Sequence, residues 1–134
     1  MVMLLSQADS LKEQLTLKHL HTLQGTWEFV SGTRQARLII TGNQFQITFT
    51  NGDQYQGTFK LDPMSRPKAI DLVIEDGPER HKGKESKGIY LLDNDHLMLF
   101  PGVPGSGDRL EAFPEPEDRT HLRLVFRKNK TARV

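Results

Sequence analysis

The sequence predicts an all-β domain, an antiparallel up-and-down β-barrel of about 8–10 strands with an N-terminal helix. Three observations predict it. After Gly25, apolar residues alternate with polar ones in runs of strand length, as in Phe45, Ile47 and Phe49. Turn sequences such as Gly42-Asn43 and Asn51-Gly52 separate those runs at hairpin spacing, and no helical period intervenes. Before Gly25 the period is helical instead. A meander this long removes its exposed edges most simply by closing on itself.

The helix comes first. Ser10-Leu11-Lys12-Glu13 is a capping-box pattern, Leu11, Leu15 and Leu20 fall on one face, and Gly25 marks a stop. The spacing predicts a helix over about residues 8–23, with its apolar stripe laid on a barrel end. Trp27 and Phe29 open the first strand; Leu38 and Ile40, then Phe45, Ile47 and Phe49, flank the Gly42-Asn43 turn. Tyr55, Phe59 and Leu61 follow Asn51-Gly52, the strongest hairpin signal in the chain. The stretch from Asp62 to Pro67 is a turn by composition, and Ile70, Leu72 and Ile74 alternate beyond it. Ile89 and Leu91 precede the Asp93-Asn94-Asp95 turn, and Leu97 and Leu99 follow it. Leu122, Leu124 and Phe126 mark the last strand.

Pro101 to Thr120 is rich in glycine, proline and acidic residues. A stretch that long without structure is unusual in a compact domain, which favours a short strand over Arg109–Phe113. The parity of the strand count then matters. If that piece is a loop, Arg127 returns to the end where Trp27 begins; if it is a strand, Arg127 finishes at the opposite end.

The bulk composition narrows the function classes. The 134 residues suit one domain, divided into a helical segment (1–24), a barrel (25–128) and a tail (129–134). Eighteen basic residues against seventeen acidic ones give no basic excess gathered for nucleic acid, and the basic residues of Arg127-Lys128-Asn129-Lys130 and Arg133 read as a solvated tail. No cysteine is present, which excludes a disulfide framework, a thiolate nucleophile and cysteine-ligated metal. The apolar Met1–Leu5 is too short for a signal peptide, and no stretch reaches the length of a membrane span. The expectation is a soluble, cytoplasmic protein.

Gly25-Thr26-Trp27 opens the first strand just behind a helix, and Arg127 closes the last apolar strand. This resembles the lipocalin and calycin pattern, in which a Gly-x-Trp tryptophan packs under a late arginine at the closed barrel end. The resemblance implies structural roles for Gly25, Trp27 and Arg127, the guanidinium lying over the indole. Four further stretches occur in order: Leu23-Gln24-Gly25-Thr26-Trp27, Gly57-Thr58-Phe59-Lys60-Leu61-Asp62-Pro63, Pro67-Lys68-Ala69-Ile70-Asp71-Leu72 and Gly88-Ile89-Tyr90. Together they are similar to an uncharacterised lipocalin-like bacterial domain family, known mainly from planctomycetes. That family usually shows Arg-Pro followed by a Phe before the last strand; Arg109 and Phe113 match, with Leu110 in place of the proline. The family has no established activity, so the resemblance implies a fold and little chemistry.

An eight-stranded barrel has room for packed side chains or for one small ligand. Phe45, Phe49, Tyr55, Phe59 and Tyr90 are the residues expected to line such a cavity, and the competing reading is that they fill it. Gly57, inside a strand pattern, signals a bulge or a close approach. Asp71 alternates away from Ile70, Leu72 and Ile74, so it faces solvent or a polar interior, and Arg109 or Lys60 is its expected partner. Arg109 is also counted among the ligand-binding residues. The histidines form no metal motif: His19 and His21 face different sides of a helix, and His81, His96 and His121 read as isolated surface residues. Gly102–Gly107 has glycines but no Walker lysine and no following helix, and reads as a mobile loop.

No catalytic residue, metal ligand or cofactor is assigned. The leading expectation is non-catalytic binding of a small apolar or amphipathic ligand. Its open end would be bordered by the Asn51-Gly52 hairpin, the Glu75–Ser86 loop and the Pro101–Asp108 loop. The alternative is a protein-interaction or regulatory module with a filled barrel core. An enzyme is a third class, resting on fold analogy alone.

Overall fold

The computed structural model describes residues 7–130, with side chains from Ser10; the Met1–Leu5 segment and Arg133 lie outside the described residues. Helix α1 (Gln7–Leu23) leads into β1 (Gly25–Gly32), β2 (Ala36–Thr41), β3 (Gln44–Phe49) and β4 (Gln54–Asp62). Then follow β5 (Lys68–Asp76), β6 (Glu85–Leu92), β7 (His96–Phe100) and β8 (Leu124–Lys128). Each strand pairs antiparallel with the next, and β8 pairs with β1 to close an eight-stranded barrel.

The pleat turns alternating sequence into an inside and an outside. Leu38 and Ile40, Phe45, Ile47 and Phe49, Tyr55 and Phe59, and Ile70, Leu72 and Ile74 all point inward into one core. Leu97, Leu99, Leu124 and Phe126 complete it. Gly57 is inward too, and a Cβ there would stand 1.8 Å from the Val73 carbonyl oxygen. The β4–β5 register shifts at that point, between Gln56 and Gly57, so the glycine marks a bulge as well as a close approach.

Strand β6 departs from the simple pattern. Tyr90 is the inward residue, Leu91 is about half exposed, and Ile89 is fully buried on the outer face. Ile89 pairs with Ala69 on one side and Phe100 on the other, and all three are buried outside the barrel. They form a small second core beneath residues 101–123. That segment contains no strand, so of the two alternatives for Arg109–Phe113 the loop is the one formed. It is a strap pinned by side chains: Phe113 packs on Phe100 at 5.7 Å, and the Arg123 guanidinium lies 5.0 Å from the same ring.

Arg109 holds the middle of the strap. Its Nη2 donates to Asp71 Oδ1 at 2.7 Å, and its Nη1 donates to the carbonyls of Gly88 and Ile70 at 3.0 and 3.3 Å. The expected Asp71 partner is therefore present, on the outer face. Arg109, counted among the ligand-binding residues, is engaged in these outer-face bonds and does not line the barrel interior.

The helix closes one end. Only its last turns dock: Leu23 is fully buried, Leu20 packs against the core, and Leu11 is exposed. The helix begins at Gln7, so Ser10 lies within it and is not its cap. Gly25, at φ +123°, makes the turn from helix to strand. The Gln24 side chain accepts from Gly42 N–H at 2.6 Å and donates to the Gly42 carbonyl at 2.9 Å, fastening the β2–β3 turn to the helix end.

Trp27 is fully buried there, and its indole N–H donates to the Leu23 carbonyl at 2.9 Å. The cation over its ring is Lys128, 5.0 Å away, and not Arg127. In the β1–β8 register Trp27 pairs with Lys128 and Glu28 with Arg127, so Arg127 points outward and is exposed. The Lys128 ammonium also donates to the Thr22 carbonyl in the last turn of α1, where a positive charge is favoured.

Candidate functional site

With one end plugged by α1, the other is bordered by the turns after β1 and β3, the 77–84 loop and the start of the strap. The three loops expected to share an end do so, because strict up-and-down alternation returns every second connection to the same side. A cavity of about 120 Å³ opens here. Its walls are the upper inward side chains of β3, β4 and β5: Phe45, Ile47, Phe49, Tyr55, Leu72 and Ile74. Leu122, Pro101 and Pro104 from the strap complete its apolar lining.

Below the cavity the barrel is packed. The space left among Leu23, Phe59, Tyr90, Leu97 and their neighbours is about 10 Å³, no more than one water occupies. The expected cavity residues therefore divide. Phe45, Phe49 and Tyr55 line the mouth, Phe59 and Tyr90 lie in the packed half (Phe45 bordering both), and Arg109 stands outside the barrel.

The polar rim contains residues that the sequence reading passed over. Arg34, in the short turn between β1 and β2, lays its guanidinium over the Phe49 ring, 4.0 Å from the centroid. Its carboxylate neighbour is Asp53 at 3.9 Å, and Asp53 also pairs with Arg80 at 3.4 Å. These pairs are long and partly exposed, a class that contributes about 0–1 kcal/mol. His81 is not an isolated surface residue. Its Nδ1 lies 2.7 Å from the Tyr55 hydroxyl, and the two rings stack at 5.7 Å. Phe49 meets the edge of Tyr55 at 5.9 Å, so guanidinium, benzene, phenol and imidazole form one continuous run of contacts across the mouth. The hint in the sequence was positional: the β1–β2 turn belongs to the same barrel end as the three loops.

Burial lowers the His81 pKa from its usual value, and Arg80 and Lys84 lower it further, against an opposing pull from Asp53. The imidazole is therefore held neutral near pH 7. Tyr55 is shifted upward, mainly by burial, and keeps its proton. Ser86, buried at the inner edge of the cavity, donates to the Gly102 carbonyl at 2.8 Å and so ties the strap to β6. Its hydroxyl proton is committed to that bond, and His81 Nδ1 is shared with the Tyr55 hydroxyl. Among the described residues no three potential metal-ligating side chains converge, and no helix is long and apolar enough to cross a membrane. Comparison of the chain with models of known families, with curated proteins and with solved structures yields no match.

Proposed function

We propose that the protein is a non-catalytic, lipocalin-like binder of a small apolar or amphipathic ligand, taken at the mouth of the barrel and not in its depth. The observation that carries this reading is the 120 Å³ apolar cavity, floored by packed side chains and rimmed by Arg34 and His81. Its size limits the ligand. Drug-sized pockets run to about 300–1,000 Å³, whereas an apolar void of roughly 150 Å³ accepts benzene. The cavity therefore fits one ring or a short branched chain, with any remainder of the ligand lying over the rim.

Methyl NMR with benzyl alcohol as the probe tests this. The methyl signals of Ile47, Ile74 and Leu122 are expected to shift in a saturable way, while those of Leu38 and Leu97, in the packed half, hold still. Shifts at the packed end, or none, would overturn the reading. A second reading, an interaction module with a solid core, draws support from the filled lower half of the barrel. It predicts no saturable response of the mouth methyls.

A further inference from the structure

Building on the mouth-binding reading, we infer that the ligand is an anion, a small aromatic or branched carboxylate. Its apolar end fills the cavity and its carboxylate meets the Arg34 guanidinium beside His81.

The ionisable lining is one-sided. Arg34 and His81 border the cavity together with the Tyr55 phenol, and among the described residues no carboxylate does. The 77–84 loop behind them carries Arg80, Lys82 and Lys84 with Glu79, and Glu75, Asp76 and Glu85 flank it on β5 and β6. Asp53, in the neighbouring turn, offsets part of that charge, yet it is shared between two arginines. The charge on the cavity wall itself, the Arg34 guanidinium, therefore favours a negative group.

Arg34 is prepared for one. Its guanidinium carbon lies 4.0 Å from the Phe49 ring centroid, a cation–π contact that holds the group at the cavity mouth. At 3.9 Å, Asp53 is beyond hydrogen-bond reach, so a ligand carboxylate can take paired donors without displacing a bond. A ligand seated in the cavity also covers part of the guanidinium. A neutral ligand would strip water from that charge and return nothing; a carboxylate returns a charge-assisted pair. A cationic ligand would meet Arg34 directly. The cavity volume sets the size of the apolar end, and the guanidinium sets the charge of the head.

The experiment compares three probes of one size, benzoate, benzyl alcohol and benzylammonium, by methyl and amide NMR titration at low salt. Benzoate is expected to bind at least about tenfold more tightly than benzyl alcohol, with benzylammonium weakest. In Arg34→Gln the advantage of benzoate over benzyl alcohol should disappear, and in Arg34→Lys it should shrink, since the charge stays and the planar fork is lost. Emission of Trp27, at the opposite end, checks that each variant is folded. Equal binding of benzoate and benzyl alcohol would overturn the anion inference and leave the pocket standing. Binding of neither would overturn both. Benzoate shifting only rim amides, as inorganic phosphate does, with the Ile47 and Ile74 methyls unmoved, would reduce the site to surface charge and overturn the inference as well.

Discussion

His19 on the helix and Tyr90 inside the barrel meet with 2.8 Å between the imidazole Nδ1 and the phenol oxygen, and their rings pack edge to face at 5.8 Å. Tyr90 is buried, so its hydroxyl needs a partner, and the helix supplies one. The mouth repeats the arrangement with Tyr55 and His81. Each end of the barrel thus pairs a tyrosine from its wall with a histidine from the covering segment.

Stability should fall as the pH is lowered toward 5. Burial depresses the pKa of both His19 and His81 below the usual 6.5, with Lys68 and Lys18 adding to the shift at His19 and Arg80 and Lys84 at His81. The unfolded chain therefore binds protons first. The stabilisation from the neutral imidazoles is complete above about pH 6.5 and is lost as pH falls through the depressed native values. Urea midpoints at pH 7.5, 6.5 and 5.5 check this, and His19→Gln should flatten the profile. An unchanged midpoint would mean that the histidines are not held neutral.

Replacing Lys128 by methionine should cost about 1–2 kcal/mol, from the lost cation–π contact and the lost bond to the Thr22 carbonyl. The exposed Arg127, changed to glutamine, should cost less than about 0.5 kcal/mol. Urea denaturation followed by Trp27 emission distinguishes the two. Equal costs would return the closing role to Arg127.

Arg109→Met should release the strap. It removes three hydrogen bonds, one of them to a carboxylate, and leaves Asp71 unpaired on the outer face. The expected cost is about 2 kcal/mol. Amide exchange should accelerate across residues 101–123 with the barrel strands little changed, and Asp71→Asn should do less because the two carbonyl bonds survive. Uniform acceleration over the whole chain would mean that the strap is not a separate unit.

The barrel was legible because most of its strands bury one face only, so Phe45, Ile47 and Phe49, or Ile70, Leu72 and Ile74, declare the inside by alternation. Strand β6 was less legible because it is buried on both faces: Tyr90 belongs to the main core and Ile89 to the small outer one, and a period of two vanishes when both parities are apolar. The outer core also explains the strap. Nothing local in Arg109–Phe113 distinguishes a strand from a segment clamped over Ala69, Ile89 and Phe100, since the deciding contacts come from β5, β6 and β7. At the closed end, the alternation of Leu124 and Phe126 carried one step on names Lys128; the family resemblance pointed instead to Arg127. Arg34 and His81 gave no periodic signal, because turn residues reach the mouth through the way the hairpins stack and not through a pattern of their own.

The seam between β1 and β8 differs in kind from every other junction of the barrel. Each remaining pair joins strands consecutive in the chain, whereas this one joins the first to the last. Its formation must await closure of nearly the entire polypeptide, the slowest sort of contact to make. The Trp27–Lys128 contact lies on that seam. Lys128→Met is expected to raise the unfolding rate more than it lowers the folding rate, and urea-jump kinetics followed by Trp27 emission check this. The single tryptophan is thus placed to report closure of the seam, with the lysine beside it as the residue whose loss that emission would register.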